Sequence, residues 1–196
     1  MRERRATDRV TDLAGRHVLE TAVAQALTNS TTLRLVHTAT DSCSELDYTV
    51  IGPGRRIAAI ELKAKLQPYQ GWDRHAPTIA AHDLFILDEL ALRKLIEAGR
   101  YAFLIVWDQP IRRWCVWSNL DLVLTPKTRV ARPLAGTGLM KAKVLIDLDT
   151  AAHTCTDLPA VLDAITQDVE TCDHWWTSIA PWPYGPTIIN PYRRTS

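Results

Sequence analysis

The first sixty residues change from a helical to a strand-type pattern of apolar positions. Residues 8–28 place apolar side chains three and four positions apart, which predicts an amphipathic helix. Three short runs rich in branched residues follow, and each predicts a strand: 33–38, 46–51 and 57–63. The sequence Gly52-Pro-Gly-Arg-Arg56 separates the last two runs and predicts a turn between antiparallel strands.

The middle of the chain predicts a second helix and a second hairpin. After a proline-containing loop at 64–82, Asp83 can cap a helix that runs to Ala98, where Gly99 ends it. Two apolar runs flank a turn and predict paired strands: 101–107 and 111–117. A weaker pattern predicts one further strand and one further helix: 143–148 and 158–169. This order predicts an α/β (α+β) fold in which helices flank a mixed central sheet.

Composition narrows the class of protein without identifying it. The chain has 196 residues, of which 46% are hydrophobic and 23% charged, and its net charge is +1. These values are typical of a soluble globular protein and exclude a strongly basic coat for nucleic acid. A charged N-terminus and the absence of a long apolar run predict a cytoplasmic protein with no membrane partner. From Trp175 onwards the chain is rich in Pro, Trp and Tyr, which predicts an extended aromatic tail.

The first hairpin brings together the residue types that phosphodiester chemistry needs. If a five-residue turn is closed by Ile51 and Ile57, an antiparallel register places Asp47 opposite Glu61. Strand side chains alternate between the two faces, so Lys63 projects on the same face as Glu61. Two carboxylates and one ammonium group are therefore predicted to converge at the end of the hairpin that is far from the turn.

Opposed carboxylates favour a bound divalent cation. Without one, Asp47 and Glu61 would repel each other. Mg2+ or Mn2+ prefers oxygen ligands, and the backbone carbonyl of Leu62 can supply another. Such a metal polarises a phosphoryl oxygen and lowers the pKa of a bound water. Lys63 can then orient the attacking water or stabilise charge on the phosphate.

The segment from Leu46 to Lys63 resembles the D…ExK signature of the PD-(D/E)xK nuclease superfamily. This superfamily includes restriction endonucleases, Holliday-junction resolvases and nuclease-related domains. The resemblance implies a restriction-endonuclease-like α-β-β-β-α-β core. We expect residues 1–120 to form this nuclease-like core and residues 121–196 to form a strand–helix extension and tail packed on the same domain.

The resemblance also implies roles for individual residues. Asp47 and Glu61 match the metal ligands of the family, and Lys63 matches its catalytic lysine. Glu20, on the predicted first helix, matches an acidic residue that often joins the metal site. Leu46 stands where many members have a proline.

The implied function is that of an Mg2+-dependent endodeoxyribonuclease. Restriction, phage defence, recombination and repair are all compatible with it, and DNA is favoured over RNA. Three residues near the motif are expected to contact nucleic acid: Lys65, Arg74 and His75.

Three alternatives stay open on the sequence. The first is a catalytically inactive nuclease fold that binds DNA or protein. The second is a homodimer or larger oligomer assembled through the aromatic tail. The third is a zinc site at His153-Thr-Cys155 and Cys172-Asp-His174, although each pair leaves one residue between its ligands and structural zinc usually needs at least two.

Overall fold

Two β-sheets and the helices packed on them make up the described part of the chain. The computed structural model describes residues 18–23, 25, 34–37, 46–52, 55–133 and 140–179. The strands are β1 (Arg34–His37), β2 (Tyr48–Gly52), β3 (Arg55–Lys65), β4 (Leu84–Asp88), β5 (Ala102–Asp108), β6 (Arg113–Ser118), β7 (Lys127–Pro133), β8 (Met140–Asp147) and β9 (His153–Cys155). The helices are α1 (residues 18–23 and 25), α2 (Glu89–Glu97), α3 (Asn119–Leu124) and α4 (Leu158–Ile179). The expected α/β fold class is confirmed.

The larger sheet is mixed, as the sequence predicts. Within the described residues its strand order is β1-β2-β3-β5-β6-β9, and β4-β8-β7 form a second sheet of three strands. In the larger sheet β3 and β5 are parallel, and the other neighbouring pairs are antiparallel. Residues 66–101 form the crossover between β3 and β5. Because β3 is central, every residue from Ala58 to Leu62 is buried.

The two faces of β3 contact different layers. From Ala58 onwards, even-numbered residues of β3 join a core cluster with α1 and α4, which includes Ile60, Leu62, Val23 and Ile165. The opposite face contributes to a cluster with β4, α2 and β8, which includes Ala59, Phe85, Leu95 and Ile146. By alternation, Glu61 and Lys63 lie on the same face as Ala59. The smaller sheet and α2 therefore cover the face of β3 that carries the candidate site.

The hairpin of β2 and β3 has the predicted register but a shorter turn. Gly52 pairs with Arg55, so two residues connect the strands, and the expected five-residue turn is wrong. The register shifts between Val50 and Ile51, which leaves Ile57 as the extra residue of a β-bulge. Beyond the bulge Val50 pairs with Ala58, as the longer turn would also require. The bulge therefore restores the predicted register at the end that carries Asp47.

The region predicted as a single helix from Asp83 to Ala98 contains a strand and then a helix. The strand β4 precedes α2, which begins at Glu89. Leu84 belongs to one apolar cluster and Phe85 to another, so β4 is buried on both faces. A strand of this kind gives a continuous apolar run that periodicity does not distinguish from a helix. Gly99 follows the helix with a φ of 86°, in agreement with its predicted role.

The second hairpin is confirmed, with strands β5 and β6 and a four-residue turn. The predicted strand at 143–148 corresponds to β8, and the predicted helix from Leu158 corresponds to α4. The sequence did not predict α3, β7 or β9. The helix α4 continues to Ile179, so the first residues of the expected extended tail are helical.

Elements on both sides of residue 120 share each sheet. β4 pairs with β8, and β6 pairs with β9. The expected boundary between 1–120 and 121–196 remains a prediction. Residues 8–17, 24 and 26–28 of the predicted first helix lie outside the described residues, as do residues 180–196. None of the described helices combines the length and the apolar character that a membrane span requires.

Candidate active site

Asp47 immediately precedes β2, which begins at Tyr48. Its Oδ2 accepts a hydrogen bond from the backbone N–H of Leu62 at 2.9 Å. The side chain thus provides an acceptor for β3 just beyond the last described backbone pair, which joins Tyr48 to Ile60. Asp47 is 4% exposed. A buried carboxylate is therefore held against the middle of β3 by its backbone.

The ammonium group of Lys63 lies among three oxygen atoms. Its Nζ donates to Glu61 Oε1 at 2.5 Å and to the backbone carbonyl of Leu62 at 3.1 Å. It lies 3.4 Å from Asp47 Oδ2. These are three of the four groups that are predicted from the sequence as metal ligands; the fourth is Glu20. The side chain of Lys63 is 28% exposed, so solvent reaches it while both carboxylates are buried.

Glu61 supplies an independent test of whether these residues suit a metal ion. The residue is 3% exposed, and its Oε2 atom is buried with no hydrogen-bond partner among the described residues. A buried carboxylate oxygen without a partner is unfavourable, and two carboxylates with one ammonium leave one negative charge. Carboxylate and carbonyl oxygens are the ligands that Mg2+ and Mn2+ prefer. The donor set therefore fits a divalent cation.

Glu20 is not grouped with these two carboxylates. It is half-buried on α1. Among the described residues, the three acidic side chains whose oxygens all lie within 4.8 Å of one another are Asp83, Asp147 and Asp149. A role for Glu20 as an additional metal ligand stays a prediction.

That acidic triad was not foreseen, because its members are far apart in the sequence. Arg113 donates from Nη2 to Asp83 Oδ1 at 2.5 Å and from Nη1 to Asp149 Oδ1 at 2.8 Å. Burial opposes the charge on Arg113, but the hydrogen bonds to Asp149 and Asp83 hold its pKa above the ordinary value. The triad could hold a metal ion, but a guanidinium group already provides positive charge to two of its three members.

Lys65, the last residue of β3, has a buried side chain. Its side chain is 0% exposed, its Nζ donates to the carbonyl of His82, and Asp108 Oδ1 lies 3.6 Å away. Burial lowers the pKa of Lys65, and the charge of Asp108 opposes this shift. The ammonium group of Lys65 is therefore held inside the protein by Asp108 and the carbonyl of His82. Contact of Lys65 with nucleic acid stays a prediction.

Arg74 and His75 lie in a short 3-10 turn, Asp73–His75, in the segment that follows β3. Arg74 is exposed, and its Nε donates to His75 Nε2 at 3.3 Å. The ring of His75 lies 5.7 Å from that of Trp72. Contact of Arg74 and His75 with nucleic acid stays a prediction.

Comparison with known proteins found a structural similarity but no similarity in sequence. No protein-family model matches the sequence, and no curated protein matches it. Among solved structures, a nuclease from a fusselovirus matches with a TM-score of 0.44 and 10% sequence identity. The match covers 88% of this chain and 98% of the viral nuclease. At this degree of similarity, function has to be argued from the site.

Proposed function

We propose that this chain is a metal-dependent nuclease that hydrolyses phosphodiester bonds of DNA. Asp47 and Glu61 bind the metal together with the backbone carbonyl of Leu62, and Lys63 acts on the reacting phosphate. The observation that supports the proposal most directly is the ring of three oxygens around Lys63 Nζ, at 2.5, 3.1 and 3.4 Å. A site that holds an ammonium ion in this way offers the same oxygens to a divalent cation.

The buried carboxylates are suited to binding rather than to proton transfer. Asp47 is fixed by the N–H of Leu62, and Glu61 has one oxygen on Lys63 and one without a partner in the described part of the chain. When bound, Mg2+ or Mn2+ supplies Lewis-acid chemistry and a water of lowered pKa. The protein contributes the fixed position of the two carboxylates, which β2 and β3 determine.

Lys63 is the residue of the site that can move towards substrate. Its side chain is long and partly exposed, whereas Asp47 and Glu61 are held in the core. If a cation were bound by these oxygens, the ammonium group of Lys63 would be available to contact a phosphate or the attacking water. Charge stabilisation of this kind is strongest where water is partly excluded.

DNA is the proposed substrate, with restriction, phage defence, recombination or repair as the setting. An endonuclease would convert supercoiled plasmid to nicked and linear forms, which an exonuclease cannot do. We propose endonucleolytic cleavage that depends on Mg2+ or Mn2+. Glu20 is proposed to assist the metal site from α1.

The test is cleavage of supercoiled, linear and branched DNA and of RNA, each with Mg2+, Mn2+ or EDTA. Asp47→Asn and Glu61→Gln should abolish cleavage while keeping the shape of the side chain. Asp88→Asn makes the same chemical change at a carboxylate of β4 that pairs with Lys141 and Lys143, and it is the control. If the wild type cuts no nucleic acid with either metal yet binds DNA, the chain is a binding module and the proposal is wrong.

A further inference from the structure

The segment between β3 and β4 is a loop whose two ends are joined. This β3–β4 loop, residues 66–82, begins directly after Lys65 and ends at His82. The buried ammonium of Lys65 donates to the carbonyl of His82, so it ties the end of the loop to its beginning. The next carbonyl, that of Asp83, accepts from the N–H of Leu148 at 2.9 Å. Both ends are thus anchored beside the strand that carries the candidate site.

The β3–β4 loop also has a small core of its own. Ala76 is buried with Leu84 and Leu145, and three loop side chains pack partly against this cluster: Tyr69, Trp72 and Ile79. Hydrogen bonds inside the loop join His75 N to Trp72 O and Ile79 N to Ala76 O. Compact loops with closed ends and internal packing are frequently functional.

Four side chains on and beside this loop contact one another in series. The guanidinium of Arg132, on β7, lies 4.7 Å from the centre of the Trp72 ring. The rings of Trp72 and His75 lie 5.7 Å apart at 59°, and His75 accepts from Arg74 at 3.3 Å. We call these four residues the loop stack. It places two aromatic rings between two guanidinium groups.

We propose that the loop stack binds unpaired nucleotides of the substrate. This inference rests on the proposed function, and it specifies which kind of DNA the site prefers. Guanidinium groups bind phosphates, and aromatic rings stack on bases in a way that tolerates different sequences. A ring can stack only on a base whose face is exposed, so flaps, gaps and junctions offer a partner that an intact duplex does not.

The position of the loop connects this surface to the site. The loop leaves β3 three residues after Lys63, and Lys65 holds its other end on the same strand. A nucleotide on the loop stack would therefore be bound by a segment continuous with the catalytic strand. Because the whole chain has a net charge of only +1, such local contacts must supply much of the attraction for DNA.

The test measures DNA binding in EDTA, where metal-dependent cleavage does not occur. Fluorescence anisotropy is recorded for a labelled single-stranded oligonucleotide and for its duplex, over a range of salt concentrations. Arg74→Gln and Arg132→Gln should each weaken single-strand binding roughly fivefold and reduce the salt slope by about 0.7, the value for one lost phosphate contact. Binding to the duplex should change less. Arg132→Lys keeps the charge without the planar group and should recover the slope but not the full affinity.

Two matched controls make the same charge change elsewhere. Arg129→Gln lies on the same strand as Arg132, and Arg93→Gln lies on α2; both arginines pair with Glu89. Each control removes one positive charge from the protein. It should therefore weaken DNA binding only by the small amount expected from the change in net charge. Melting curves of each variant establish that the protein is folded.

The outcomes separate this inference from the proposed nuclease activity. If the wild type cuts DNA but the loop-stack variants bind like the controls, the loop stack is wrong and the nuclease proposal stands. If the variants lose duplex and single-strand binding equally, the preference for unpaired nucleotides is wrong. If the variants lose single-strand binding selectively while the wild type never cuts, the loop stack is supported and the nuclease proposal fails.

Discussion

Replacement of Lys63 by methionine separates two roles that we expect of this residue. One is competition with a metal ion for its ligands, and the other is charge stabilisation during cleavage. Its ammonium contacts three groups that are proposed as metal ligands, namely Glu61, the carbonyl of Leu62 and Asp47. A divalent cation must displace it before those oxygens become available. Lys63→Met keeps most of the apolar stem and removes this competitor, so metal should bind more tightly even though cleavage is lost.

The size of the effect follows from the contacts. One short charged hydrogen bond joins Lys63 to Glu61 at 2.5 Å, a second reaches Leu62 O, and the contact with Asp47 is longer. Buried hydrogen bonds to charged groups contribute about 1.5–3 kcal/mol each, but this side chain is 28% exposed and solvent weakens them. A total of about 1–2 kcal/mol would make the metal dissociation constant roughly 5 to 30 times smaller. Cleavage should fall about a hundredfold or more, because an electrostatic stabiliser is missing.

Titration calorimetry with Mn2+ and thermal melting, each on wild type and variant, test this reasoning together. Without metal, Lys63→Met should melt below the wild type, because two buried carboxylates lose their counter-ion. Saturating Mn2+ should narrow or close that gap by binding to the native state. Lys141→Met, which changes an exposed lysine on β8, is the control for loss of charge. If Lys63→Met binds Mn2+ no more tightly than the wild type, its ammonium does not compete for the proposed ligands and the metal site is wrongly placed.

Three further predictions concern other parts of the molecule. Arg112 has a φ of 59°, so Arg112→Gly should be about 0.5–1 kcal/mol more stable than Arg112→Ala in urea titrations, and the reverse order would contradict the strain. Burial raises the pKa of Asp88, but hydrogen bonds from Lys143 outweigh this effect and hold the pKa below its ordinary value of 3.8. The stability that Asp88 provides should be present above pH 3.8 and lost as the pH falls below it, so the melting difference from Asp88→Asn should shrink in acid. Burial raises the pKa of the Cys115 thiol to about 12, so iodoacetamide at pH 8 should label it only after unfolding, as mass spectrometry of the peptide would show.

The site could be predicted because its residues are close together in the sequence. Asp47, Glu61 and Lys63 lie on two strands joined by a short turn, and strand alternation together with one register decides which side chains meet. The predicted turn length was wrong, and the bulge at Ile57 compensates for the difference. The sequence contains no simple signal for such compensation, since a bulge changes the count of residues without changing the apolar pattern.

The surroundings of the site depend on contacts between distant residues, and sequence patterns do not show these. Lys65 looks like one more cation beside the motif, yet Asp108 and the carbonyl of His82 enclose it. Arg113 joins the carboxylate of Asp83, which precedes β4, to that of Asp149, which follows β8, in the same way. Burial of a charge is decided by these partners, and they become visible only once the second sheet is placed.

The pairing of β4 with β8 also constrains the order in which the molecule can be completed during translation. Phe85 and Leu87 leave the ribosome long before Asp147, the last residue of β8. Until then β4 has no antiparallel partner in the described residues, and an unpaired apolar strand edge is a site for association between chains. The face of β3 that carries Glu61 and Lys63 is likewise not fully covered in a nascent chain. Translation pauses that occur before Asp147 has left the ribosome should therefore favour aggregation, whereas later pauses should not.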